Sequence, residues 1–104
     1  MYARLTTFEG ADPSTKDEAL ERIREEVLPA LQALDGFSGY VMLTDDENRK
    51  AHATTFWESR ETAEAAEQQM AQRREAMAER FGLTIKSVRL LEAPIVDVRS
   101  ATKV

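Results

Sequence analysis

The spacing of apolar residues changes along this chain, and the order of the changes restricts the folds that it can adopt. The first segment, YARLTTF, alternates from residue to residue and is rich in aromatic and β-branched side chains, which predicts a β-strand. Apolar residues then recur every three or four positions, which predicts one amphipathic helix over roughly residues 15–34. The members of this stripe are Leu20, Ile23, Val27, Leu31 and Leu34.

The first predicted helix carries its own boundary signals. Ser14 is the predicted N-cap, with Asp17 three residues later in the position of a capping box. Pro29 removes a backbone donor inside the helix and predicts a kink there. Gly36, which follows Asp35, is free to adopt a positive φ and predicts the end of the helix.

The rest of the chain predicts a hairpin, a second helix and a last strand. The runs FSGYVMLT and AHATTFW, separated by DDENRK, are typical of two strands joined by a solvated tip. Ser59 is the predicted N-cap of a second helix, which Gly82 ends and whose apolar stripe is thin and rich in Ala and Met. The segment TIKSVRLLEAPIVDVRS alternates again and predicts a fourth strand. Pro94 predicts a bend or an edge, and a short fifth segment after it stays open.

The resulting order, β-α-β-β-α-β, predicts an α+β ferredoxin-like fold with a four-stranded antiparallel sheet and both helices on one face. A chain of 104 residues fits one domain, so residues 1–104 are predicted to form a single unit. Aromatic or aliphatic residues occupy both parities of at least three strands. The second sheet face is therefore predicted to pair with that of another copy, giving a homodimer that closes into an α/β barrel. The alternative is that loops or the tail PIVDVRSATKV cover it.

Composition excludes several classes of function. The chain has no cysteine, which removes disulfides, thiolate nucleophiles and cysteine-ligated metals. The net charge of -5, with basic residues alternating with acids, argues against nucleic-acid binding. No apolar run approaches the ~20 residues that would span a membrane. The N-terminus MYARLTTFEG carries no export signal, and together with the lack of cysteine this predicts a cytoplasmic protein.

Two passages carry a resemblance to a known family. LPALQALDGFSGYVML and the strand-to-helix junction FWESRETAEA, set in the β-α-β-β-α-β order, resemble the antibiotic biosynthesis monooxygenase family of the dimeric α/β-barrel superfamily. The resemblance extends from Met1 to about Ile95. The family includes cofactor-independent oxygenases of aromatic polyketides and quinols, haem-degrading oxygenases, and members without known activity. In the first two groups a tryptophan at the position resembling Trp57 lines a cavity between sheet and helices.

The haem-degrading branch also requires an axial histidine on the second helix and an asparagine on the first strand. The only histidine here is His52, on a predicted strand, and the only asparagine is Asn48, in the hairpin tip. The departure from the family pattern predicts that the protein binds no haem, and we expect no cofactor. We also expect no metal site, because DDEN lacks the glycine and the spacing of a calcium loop.

Trp57, the only tryptophan, has two interpretations. It is either core packing with its N–H satisfied at a strand end, or one wall of a pocket for an aromatic ligand. The pocket interpretation predicts a substrate-binding set made of Trp57, Tyr40, Thr55 and Met70.

Three residues are candidates for a catalytic role. His52 can act as a base near neutral pH, or it can be a solvated or interface histidine. Arg4 and Arg89 lie in the middle of strands that neighbour each other in this fold. Either could stabilise an enolate or phenolate oxygen, or form ion pairs across the dimer.

Two functions follow from these alternatives. The first is a cofactor-independent monooxygenase acting on an aromatic or quinol-like substrate. The second is a noncatalytic dimeric α/β-barrel protein that binds a small apolar ligand or serves only in assembly.

Overall fold

The protein is built on one four-stranded antiparallel sheet, and the computed structural model describes residues 1–99. The strands are β1 (Tyr2–Glu9), β2 (Phe37–Asp45), β3 (Lys50–Trp57) and β4 (Thr84–Glu92). They lie in the order β2-β3-β1-β4, and each neighbouring pair is antiparallel. With helices packed on one face, this is the predicted ferredoxin-like fold, which is confirmed.

The first helical region is less regular than predicted. It consists of α1 (Lys16–Arg22), a π-helical turn over Ile23–Val27 and α2 (Leu28–Gln32). The N–H of Leu28 reaches back to the carbonyl of Ile23, which widens the helix one residue before Pro29. The irregularity expected from Pro29 therefore takes the form of a single π turn, which is one of the known causes of a helix kink.

The predicted capping role of Ser14 is wrong. Asp12 takes that role, because its side chain accepts a hydrogen bond of 2.9 Å from the backbone N–H of Ser14. A short 3-10 turn, Pro13–Thr15, follows, and Pro13 at its start has no N–H to satisfy. Helix α1 then begins after Thr15, which makes no side-chain capping bond.

The second predicted helix is α3, Arg60–Phe81, and its predicted ends are confirmed. Ser59 accepts from the N–H of Thr62 at 3.1 Å, while the Thr62 hydroxyl accepts from the N–H of Ser59 at 3.2 Å. Gly82 ends the helix in the left-handed conformation, with φ of 67°. The long α3 thereby runs across the sheet and positions its buried alanines, Ala63, Ala66 and Ala78, close to the strands.

The hairpin and the last strand agree with the sequence, but the segment left open after Pro94 forms no strand within the described residues. The hairpin turns through Asp46–Arg49, where Asp45 accepts a 2.9 Å hydrogen bond from the Asn48 side chain. Pro94 lies in a bend, and residues 95–99 run on without sheet pairing. The side chains of Ile95 and Val98 are 86% and 71% exposed, so they do not pack on the sheet, and residues 100–104 lie outside the described part.

The strand registers assign each side chain to one face of the sheet. Thr55 pairs with Arg4 and Tyr40, and these side chains face the helices. The neighbouring residues face the other way, because successive side chains in a strand alternate. That second face, here called the open face, carries both apolar and polar side chains, and Leu43 on it is 56% exposed. Its apolar members are Ala3, Leu5, Val41, Leu43, Phe56 and Leu91.

Candidate functional site

A cavity of about 150 Å³ lies between the sheet and the helices. Strands β1, β2 and β3 form its floor, and α3 and the first helical region form its walls and roof. The lining is mainly apolar, and the cavity is not closed off from solvent. The structure brings Trp57, Tyr40, Thr55 and Met70 together around it, and their role in binding a ligand stays a prediction.

Trp57 belongs to the core and to the cavity wall at once. It is 2% exposed and packs with Leu31, Ala63 and Ala66. Its ring meets that of Phe37 edge to face, with centroids 5.6 Å apart. The indole N–H donates to the Thr55 hydroxyl at 2.9 Å, so it is already satisfied within the protein. The indole therefore offers a ligand its apolar surface rather than its donor.

Two hydroxyl groups face the cavity from the sheet. Thr55 accepts from Trp57 and keeps its own hydroxyl hydrogen for another partner. Burial raises the pKa of Tyr40 to about 12, so its phenol stays protonated at neutral pH. Both residues can thus donate a hydrogen bond to a ligand on the cavity floor.

A charged cluster joins the floor of the cavity to α3. Glu67 accepts two hydrogen bonds from Arg74, at 2.6 and 2.8 Å, and lies 3.3 Å from Nε of Arg4. Arg4 also donates to the carbonyl of Ala63 at 3.3 Å. Hydrogen bonding from Arg74 holds the pKa of Glu67 below its usual value, although burial acts to raise it. The positive charges of Arg74 and Arg4 lower this pKa further. Glu67 is therefore ionised at neutral pH and is a weak base.

Of the three catalytic candidates, His52 and Arg89 do not lie at this cavity. His52 pairs with Thr7 and Leu43 across the sheet, and its Nδ1 lies 3.2 Å from the Thr7 hydroxyl on the open face. Arg89 lies opposite Leu5 and is exposed on the same face. β1 and β4 are neighbours as predicted, but Arg4 and Arg89 have opposite parity, so only Arg4 points toward the helices.

Two observations concern possible metal ligands and membrane-spanning helices among the residues that the structure describes. Within residues 1–99, no three His, Cys, Asp or Glu side chains are grouped closely enough to hold a metal ion. His52 cannot ligate a group held in the cavity, because the sheet lies between them. None of the helices in these residues has the length and apolar character needed to cross a membrane.

Sequence reasoning missed Glu67 and Arg74, although a signal for both was present. They fall at helical spacing among the apolar residues of α3, between Ala63 and Met77. A charged side chain on the buried stripe of a helix needs a partner or a function. That rule would have selected this pair from the many charged residues of the helix.

Comparison with known proteins supports the fold and leaves the activity open. No family model matches the chain. Two uncharacterized proteins of Mycobacterium tuberculosis are each 37% identical to it, over 84 and 81 residues. These matches cover 81% and 78% of this chain but only 37% and 34% of the relatives, so the chain spans about a third of their length.

Three solved structures show the same architecture. A Streptomyces coelicolor monooxygenase, solved with nanaomycin D, has a TM-score of 0.69 and 16% identity, covering 95% of this chain and 92% of its own. A cofactor-independent oxygenase of Streptomyces nogalater has a TM-score of 0.65 and 17% identity, with coverage of 91% and 94%. A dimeric ferredoxin-like protein from an uncultured marine organism has a TM-score of 0.69 and 11% identity, with coverage of 95% and 100%. The resemblance to the antibiotic biosynthesis monooxygenase family is thus confirmed at the level of the fold.

Proposed function

We propose that this protein is a cofactor-independent monooxygenase that oxidises a small phenol or quinol in the cavity between its sheet and its helices. The observation that carries the proposal is the cavity itself. It has an aromatic wall, Trp57, two hydroxyl donors, Tyr40 and Thr55, and a guanidinium, Arg4, on one floor. The Streptomyces structures that share the fold are described as a monooxygenase and a cofactor-independent oxygenase, which agrees with the proposal.

The volume of the cavity indicates the size of the substrate. An apolar cavity of about 150 Å³ is known to hold a benzene molecule. The cavity of this protein has about that volume, so it suits one aromatic ring. Trp57 and Met70 would contact the faces and edges of that ring.

The polar side chains supply what oxidation without a cofactor requires. A phenol reacts with O₂ through its electron-rich phenolate, and a fixed positive charge stabilises that anion. Arg4 is placed to do this, with Tyr40 donating a hydrogen bond to the same oxygen. Glu67 is a weak base because it is held by Arg74, so the phenol proton passes to solvent through the open side of the cavity.

The proposed reaction is balanced without another reductant or oxidant. A phenol and O₂ give a para-quinone and water. The ring carbon para to the hydroxyl forms a bond to one oxygen atom and loses its hydrogen, and the O–O bond breaks. The second oxygen atom leaves as water with the phenolic and ring hydrogens, and all electrons come from the ring.

The test of the function is oxygen uptake by purified protein with a panel of single-ring phenols that carry a hydrogen para to the hydroxyl, with no added cofactor. We expect uptake above the spontaneous rate and a matching rise in quinone absorbance. Arg4→Gln is expected to lower the rate by about 10²-fold or more, in the range seen when one oxyanion donor is removed. The variant Arg24→Gln, at an exposed position that does not line the cavity, is the control. Binding without oxygen uptake would instead support a noncatalytic ligand-binding protein.

We also propose that two copies pair through their open faces. Leu43 is 56% exposed there, and Val41 and Phe56 on the same face are half-buried. Exposed apolar sheet faces usually mark association sites. The marine ferredoxin-like protein of the same fold is dimeric, which agrees with this proposal.

Light scattering at micromolar concentration should therefore give twice the 11.7 kDa mass of the chain. Leu43→Arg places a charge on both sides of a two-fold interface. We therefore expect it to raise the dissociation constant of the dimer by at least about a hundredfold. Gln72→Arg, which adds the same charge at an exposed position of α3, should leave the dimer intact. A monomer of the unaltered chain would contradict the sheet-to-sheet pairing.

A further inference from the structure

We infer that the ligand of this cavity is a single-ring aromatic carboxylate, recognised as an anion by the cluster of Arg4, Glu67 and Arg74. The inference rests on the proposed function and deepens it, because it assigns a chemical class to the substrate. It depends on the charge balance of the cavity and on the free donors of its arginines.

The charge of the cavity is opposite in sign to that of the whole protein. Its lining contains five basic and three acidic side chains, whereas the chain carries a net charge of -5. Both lysines of the lining have acidic partners: Lys16 donates to Asp46 at 3.1 Å, and Lys50 lies 3.8 Å from Glu9, which is outside the lining. The positive surplus therefore rests on the arginines. A cleft with low-dielectric walls focuses such a field and attracts a ligand of the opposite sign.

The cluster of Arg4, Glu67 and Arg74 lies at the centre of the positive charge of the cavity. Two guanidinium groups share one carboxylate, so Arg4, Glu67 and Arg74 together carry one unbalanced positive charge. The side chains of Arg4 and Arg74 are only 13% and 14% exposed. A surplus charge at such low exposure is weakly screened by solvent and interacts strongly with an anion beside it.

The arginines also retain donors for a ligand. A guanidinium has five N–H groups, and within residues 1–99 Arg4 donates one of them, to the carbonyl of Ala63, while its Nε lies 3.3 Å from Glu67. Arg74 directs its two terminal nitrogens to Glu67 and keeps one further hydrogen on each. A planar carboxylate matches this arrangement because it accepts two parallel N–H bonds from one guanidinium.

The remaining lining selects an aromatic body for that anion. The apolar part of the cavity, beside Trp57 and Met70, accommodates about one ring. Arg74 lies one helical turn after Met70 on α3, so a carboxylate attached directly to the ring is placed at Arg74 while the ring stays against Trp57 and Met70. Arg4 then remains available for the phenolic oxygen. The cluster therefore acts as a specificity determinant that favours a monoanion over a neutral aromatic of the same shape.

The experiment compares benzoate with benzamide, which has the same shape and no charge. Neither molecule carries a phenolic hydroxyl, so binding is measured without oxidation, by calorimetry and by the fluorescence of Trp57. We expect benzoate to bind at least about tenfold more tightly than benzamide, as expected for a partly buried charge pair. Arg74→Gln should remove most of this preference, and Glu67→Gln, which leaves two unpaired arginines, should increase it.

Controls separate this inference from the proposed function. Arg24→Gln changes the net charge equally but lies outside the cavity, so it should keep the preference. Because the preference is a ratio measured within each variant, a partial loss of folded protein does not alter it. Equal binding of benzoate and benzamide, or an equal effect of Arg24→Gln and Arg74→Gln, would overturn the inference. A benzoate preference without oxygen uptake on 2-hydroxybenzoate and 3-hydroxybenzoate, whose carbon para to the hydroxyl carries a hydrogen, would leave it standing and would reject the monooxygenase.

Discussion

Replacing Trp57 with alanine is expected to lower the free energy of unfolding by about 3–5 kcal/mol, the usual cost of deleting a packed aromatic side chain. The indole is 2% exposed and packs against Leu31, Ala63 and Phe37. The neighbouring alanines have no side-chain length with which to fill the space. The existing cavity would therefore grow instead of collapsing, which places the loss toward the upper end of that range.

Trp57→Phe is the matched control because it keeps an aromatic ring while removing the hydrogen bond to Thr55. We expect a smaller loss of about 1–2 kcal/mol. Urea unfolding followed by circular dichroism measures both variants without relying on the tryptophan signal. A loss below that of the phenylalanine control would show that the indole is not packed as core. The cavity wall would then be more adaptable than its burial indicates.

Gly36→Ala is the second substitution with a large expected effect. Gly36 has φ of 78°, and a Cβ at this position would lie 2.5–2.7 Å from three side-chain atoms of Thr62. Thr62 cannot move away easily, because its side chain is held by Ser59 in the capping box of α3. The left-handed backbone and the close contact act together, so we expect a loss of about 2–4 kcal/mol.

Gly82→Ala isolates the backbone part of this effect. Gly82 has φ of 67°, but an added Cβ there meets no atom within 4 Å. We therefore expect only the conformational cost of about 1–2 kcal/mol. Equal losses in the two variants would mean that the Thr62 contact is relieved by a small shift. The comparison of these two glycine variants also concerns the cavity. The Gly36 carbonyl accepts a 2.9 Å hydrogen bond from the backbone N–H of Glu58, and Gly36 precedes Phe37, which packs on Trp57.

The sequence by itself determined the order and the type of the main elements. The alternation in YARLTTF, the stripe from Leu20 to Leu34 and the capping residue Ser59 are local signals, and each acts within a few residues of its own position. Parity within β3 also separated Trp57 and Thr55 from His52, because side chains alternate along any strand. The sequence did not identify the cap correctly, because Asp12, Ser14 and Thr15 are all polar and lie close together. The turn that begins at Pro13 selects Asp12.

Only the tertiary structure decided which face of the sheet each strand residue occupies and which charged residues meet. Arg4 and Arg89 look alike in the sequence, yet the register that pairs Leu5 with Arg89 sends them to opposite faces. Glu67 comes to lie between Arg4 and Arg74 because α3 crosses β1 at that point. Such contacts join residues far apart in the chain and depend on packing between elements. No local pattern encodes them, and the same packing decides which side chains line the cavity.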